Sequence, residues 1–196
     1  KGKVTVLSEM RDTVPLVMKA DGVDPNDATK QQWLDAIDKL RGAVESGQIR
    51  RITGNDYTQD MANENVVAAI GWSGDTSLIE NPDVEWRMPT QGCILWSDNM
   101  VIPKGAPNTA AALAWMDFVY QPEVQADIAE YVQYVTPVEG VKQVFVDRGQ
   151  TKLAENPLIF PTEQFTADCS TQPEPPGSAA DRDEVVEAFQ DLVRGG

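Results

Sequence analysis

Three places in the sequence set carboxylates beside aromatic rings. Glu9 and Asp12 follow a short β-rich run at Val4–Leu7. Trp72 and Asp75 follow the apolar run 66–70, and Trp96 and Asp98 follow the run 93–96. In open α/β sheets, ligands collect beyond the carboxyl ends of strands, so these three places are the candidates for a shared site. Such a site would be anionic and aromatic, with Arg11 the one basic residue evident in it. That chemistry suits an organic cation. Carboxylates pair with ammonium groups through charge-assisted hydrogen bonds, and indole faces cover methylenes and add cation–π attraction of roughly 0.5–2 kcal/mol each. Ordinary structural readings stand beside this one. A strand-end Trp is commonly core, Asp75 and Asp98 sit where turns and caps use acids, and Glu9 and Asp12 flank a helix start where the dipole favours them.

The elements that must position these residues follow from periodicity and punctuation. Val4–Leu7 reads as a buried strand and Met10–Ala20 as a helix whose regularity Pro15 limits. Trp33, Ile37, Leu40 and Val44 share one face of a further helix, with a cap supplied by residues 24–27. Strands are predicted at 48–53, 66–70, 84–88, 93–96 and 100–102, and a short helix at Tyr57–Ala62. From Pro107 onward the pattern is helical, with Leu113, Met116, Phe118, Val119 and Tyr120 apolar, then helices near 123–131 and 138–146. Residues 171–177, with Pro173, Pro175 and Pro176, form a loop, and 181–193 is a closing amphipathic helix. Alternating strands and helices predict an α/β fold with a mixed, mainly parallel sheet flanked by helices.

Composition removes several classes of function. The 196 residues carry 16 Lys+Arg against 31 Asp+Glu, a formal charge of −15, and no His. A basic nucleic-acid surface is excluded by that balance, and His-based acid–base chemistry and the usual zinc sites by the missing imidazole. The segment 71–75 is not a nucleophile elbow, because Asp75 stands where the closing Gly belongs. No Walker loop, dinucleotide fingerprint or zincin motif is present. The reading calls for no cofactor and no metal. The two cysteines, Cys93 and Cys169, make no disulfide framework and leave one bridge open.

At these same residues the chain resembles the spermidine/putrescine-binding proteins of bacterial ABC importers. The strings that carry the resemblance are VVAAIGWSGD at 66–75, LWSDNMVIP at 95–103, Pro107-Asn108 and YVQYVTP at 131–137, preceded by Glu9-Met10-Arg11-Asp12. Their order and separations match the family along almost the whole chain. The resemblance implies a periplasmic-binding-protein clamp (type II-like) that closes on a polyamine between two lobes and delivers it to a membrane permease. It implies ligand contacts from Glu9, Asp12, Trp72, Asp75, Trp96, Asp98 and Tyr134, with a further polar contact from Gln164 or Gln172. An acid at Asp75 tilts the expectation toward putrescine over spermidine.

The same resemblance predicts residues 1–96 as second-lobe α/β domain, 97–140 as a helical segment returning to a first lobe that is otherwise largely missing, and 141–196 as the return to the second lobe. The chain would then be a fragment, with the helical face around Trp115, Phe118 and Tyr120 open to self-association. An extracytoplasmic setting, periplasmic or tethered to the outer face of the membrane, would permit a Cys93–Cys169 disulfide. Three competing readings are a related lobe for another small cation or metabolite, an acidic carbohydrate-active enzyme using two of the carboxylates, and a surface interaction module.

Overall fold

The computed structural model describes residues 1–79 and 81–195. The chain divides into two compact units. The first comprises Lys1–Trp72, Leu78–Trp96 and Ala167–Gly196, and the second comprises Ser73–Ser77 and Ser97–Thr166. The sequence-based boundary near residue 140 falls inside the second unit, and the chain returns to the first at Ala167.

The first unit is built on a parallel sheet. β1 (Val4–Leu7) lies between β2 (Ile49–Thr53) and β3 (Ala68–Ala69), and both pairings are parallel. α1 (Met10–Ala20), α2 (Lys30–Glu45) and the closing helix of the chain, Ala179–Gly195, pack a core of Val6, Val14, Met18, Trp33, Ile37, Leu40, Val185, Phe189 and Leu192. The 3.6-residue spacing of Trp33, Ile37 and Leu40 thus marks a buried stripe. Pro15 sits buried within α1 without ending it; it removes one N–H and leaves the rest of the helix intact. The cap of α2 differs from the sequence reading. Thr29 and Gln32 form a reciprocal capping box, whereas Asp24 accepts a hydrogen bond from the Asn26 N–H at 2.9 Å in a turn further upstream.

A second, two-stranded parallel sheet joins β4 (Ile94–Leu95) to β5 (Ser170–Thr171), with Ile94 opposite Ser170 and Leu95 opposite Thr171. One step back along each strand, Cys93 and Cys169 form a disulfide. Gly92, φ +94°, lets the chain approach here, since a Cβ on it would lie 1.8 Å from the Asp168 carbonyl oxygen. The remaining predicted strands are shorter or absent. The 66–70 run keeps only β3, with Val67 73% exposed, because β3 pairs with β1 alone. Residues 84–88, between Pro82 and Pro89, and residues 100–102 form no strand. The first alternates apolar and charged residues and the second is apolar, but neither joins a sheet among the described residues, and pairing rather than composition makes a strand.

In the second unit, α4 (Thr109–Val119), α5 (Pro122–Val132), α6 (Val141–Asp147), α7 (Thr151–Ala154) and α8 (Glu163–Thr166) follow in order. Proline stands at the first position of α5, where its missing N–H costs nothing. Ala126, Ala129, Val141, Phe145, Ala154 and Ile159 form the core, and Phe145 meets Phe160 edge-on at 6.0 Å. Leu113, Trp115 and Phe118 of α4, and Tyr120 just past it, are exposed. The 17-residue helix Ala179–Gly195 is α9, and no helix among the described residues is long and apolar enough to cross a membrane.

Candidate functional site

Two clusters of the predicted residues form, one in each unit. In the first unit, Asp12 stands in the first turn of α1, where the helix dipole favours an anion. Its carboxylate is 8% exposed and accepts hydrogen bonds from the Trp72 indole Nε1–H at 3.2 Å and from the Gln172 side-chain amide. Both donors are neutral, and among the described residues no cation pairs with Asp12. The neighbouring Arg11 turns to other partners. Its Nε and Nη2 donate to the carbonyl oxygens of Pro173 and Gln172, each at 2.9 Å, and its Nη1 lies 3.5 Å from Glu174. The negative charge at Asp12 is therefore held in place by dipoles without being neutralised.

Trp72 is fixed from behind. Its backbone N–H donates to the Tyr57 hydroxyl at 2.9 Å, and the two rings pack tilted at 6.2 Å. Gly71 makes room for this contact, because a Cβ there would lie 2.6 Å from the Tyr57 ring. Tyr57, at the first position of α3 (Tyr57–Ala62), was not among the predicted site residues; the glycine before Trp72 was the available signal for a close ring. Trp96 directly follows β4, and the same parallel register runs on to Gln172, whose backbone N–H donates to the Leu95 carbonyl at 2.7 Å. Gln172 is thus the last-third polar residue placed beside a predicted acid, whereas Gln164 lies exposed on α8 in the other unit. Glu9, at the N-cap of α1, is exposed and accepts from the Ser8 hydroxyl at 3.2 Å.

In the second unit, Asp75 lies in a 3-10 turn spanning Ser73–Leu78 and is 5% exposed. The Tyr134 hydroxyl donates to its carboxylate at 2.6 Å. Burial, then the bond to Asp75, and further the negative charges of Asp75 and Asp98 hold the Tyr134 phenol well above the ordinary tyrosine range. Asp98 itself is exposed, within electrostatic reach of that ring. The turn approaches Tyr134 closely because residue 74 is glycine; a Cβ there would stand 2.2 Å from the Val132 carbonyl oxygen. Gln133, with φ +51°, closes α5 and directs the chain into Tyr134.

Both clusters pair a buried carboxylate with an aromatic hydrogen-bond donor, an arrangement whose chemistry suits a cationic group. Residues 1–161 match the bacterial extracellular solute-binding protein family. The chain belongs to that family. Its members are solute-binding proteins and not enzymes, which removes the carbohydrate-active alternative. The chain is 26% identical over 181 residues to a putrescine-binding periplasmic protein of Pseudomonas aeruginosa, covering 88% of this chain and 48% of that protein. To the putrescine-binding periplasmic protein of Escherichia coli it is 25% identical over 176 residues, covering 84% of this chain and 45% of the relative. A solved structure described as "Putative spermidine/putrescine ABC transporter from Listeria monocytogenes" superposes with a TM-score of 0.83 at 26% identity, over 98% of this chain and 57% of that one. The fold is the periplasmic-binding-protein α/β fold, as the sequence resemblance implied. The chain spans about half the length of the curated relatives it matches.

Proposed function

We propose that this chain belongs to the extracytoplasmic substrate-binding component of an ABC importer and takes part in binding a polyamine, putrescine in preference to spermidine. The observation that carries the reading is Asp12: a buried carboxylate oriented by the Trp72 indole and the Gln172 amide, with no cation among the described residues paired to it. A primary ammonium would complete that arrangement with a charge-assisted bond, and the indole face of Trp72 would add cation–π attraction. The relatives named as putrescine-binding support the same ligand class. Asp75, a buried acid that accepts a hydrogen bond from the Tyr134 hydroxyl, supports the tilt toward putrescine that the family resemblance implies. Glu9, Trp96 and Asp98 complete the proposed contacts. Binding favours the conformational state that a membrane permease recognises. The exposed aromatic face of α4 supports self-association as a second, separate property.

Calorimetric titration of putrescine and spermidine, in separate runs, into the full-length protein tests the ligand. The expected result is micromolar or tighter binding, about −8 kcal/mol, with putrescine the tighter of the two. Asp12→Asn or Trp72→Ala should weaken it at least tenfold. Absence of heat with either amine, from folded protein free of carried-over ligand, overturns the polyamine assignment.

A further inference from the structure

Arg11 lies next in sequence to the acid proposed to hold the ligand, yet its guanidinium is spent on the backbone of a distant segment. Its Nε and Nη2 reach two consecutive carbonyls, those of Pro173 and Gln172, both at 2.9 Å. A guanidinium is rigid and planar, and its fork matches two neighbouring acceptors in a way a single ammonium cannot. Pro173 and Pro175 are buried, but the segment it grips has few backbone hydrogen-bond donors of its own. Pro173, Pro175 and Pro176 lack N–H groups, so the ladder of β4 and β5 cannot continue through them. Gln172 is consequently pinned on both sides of its backbone, by its N–H to the Leu95 carbonyl and by its carbonyl to Arg11. Its side chain then reaches the Asp12 carboxylate.

We propose that Arg11 is a positioning residue of the amine site: without touching the ligand, it fixes the 172–173 backbone so that Gln172 orients Asp12. This rests on the polyamine reading for its consequence, though not for its geometry. It explains how a site meant for a cation tolerates an arginine next to its acid. The charge is drawn onto carbonyl oxygens and toward Glu174, 3.5 Å away, and Asp12 keeps only neutral donors. The exposed pair with Glu174 itself contributes little; the two carbonyl bonds carry the role.

The Trp72 indole N–H shares the Asp12 carboxylate with Gln172 and so reports the network directly. In the ligand-free, nitrogen-15-labelled protein, with the peak assigned by Trp72→Phe, Gln172→Ala should move the Trp72 indole cross-peak. Arg11→Lys, which keeps the charge and removes the fork, should move it as well. The double variant should move it no further than the larger single change. Putrescine affinity should fall about tenfold in either single variant, the loss of one hydrogen bond to a charged group. An indole peak at its wild-type position in folded Arg11→Lys overturns the proposal. Should that variant fail to fold, the unmodified protein decides: the Arg11 Nε–H is expected to exchange slowly, and exchange as fast as in exposed arginines overturns the role. Indole shifts as expected without amine binding by the wild type would end the polyamine reading and leave the role of Arg11 standing. Amine binding with an unmoved indole would do the reverse.

Discussion

Asp75 and Tyr134 show how one hydrogen bond sets the chemistry of a residue pair. The phenol donates at 2.6 Å to a buried carboxylate, and burial together with that bond raises the proton affinity of the phenol. The folded-state pKa lies above the ordinary value of 10.0, so the folded protein holds this proton more tightly than the unfolded chain. The resulting stability is fully present below about pH 10 and is lost as pH rises through the folded-state value. Denaturant titrations at pH 8 and pH 11 should therefore show a larger alkaline loss for the wild type than for Tyr134→Phe. Equal losses would mean that the phenol does not titrate under this restraint. The acid itself was legible from its place after an apolar run, but its partner lies 59 residues along the chain, and the resemblance rather than spacing marked that tyrosine.

Helices and strands differed in how well local sequence specified them. α1 matches its predicted bounds, Met10–Ala20, and α2, α5 and α9 lie close to theirs, because an apolar stripe and an N-terminal signal suffice to place a helix. Strands at 84–88 and 100–102 do not form, since a β-rich run becomes a strand only when distant backbone arrives beside it. β4 and β5 show the converse: two residues each are strand because the Cys93–Cys169 bridge and the tight turn at Gly92 bring remote segments together. Gly92→Ala would force both a positive φ and a Cβ into the Asp168 carbonyl. The expected cost is about 2 kcal/mol or more, read as a lower urea midpoint with the disulfide intact. An unchanged midpoint would show that the two segments do not approach as described.

Across the whole chain, the charge of −15 creates a field that draws cations toward the surface and weakens with added salt. Opposed to that repulsive coat is the bare aromatic face of α4, with Trp115 61% and Tyr120 52% exposed. Sedimentation of this 196-residue chain should show concentration-dependent association that strengthens as salt screens the charge. Trp115→Glu should abolish it while leaving the helical content unchanged. A monomer at all concentrations in high salt would assign that face no role in self-association.

The sequence by itself determined the α/β class, the principal helices, the anionic and aromatic character of the candidate site, and the family, because these depend on residue type and short-range order. Tertiary structure decided which donors reach which acids. Asp12 with Gln172, Arg11 with the 172–173 carbonyls, Tyr57 behind Trp72, and Asp75 with Tyr134 are all contacts between elements. It also joined Cys93 to Cys169 across 76 residues, a bridge that composition left open. The physical reason is common to all of them. A hydrogen bond or a disulfide requires atoms to meet within a few ångströms, and for groups this far apart in sequence only the packed core and the sheet register set that distance.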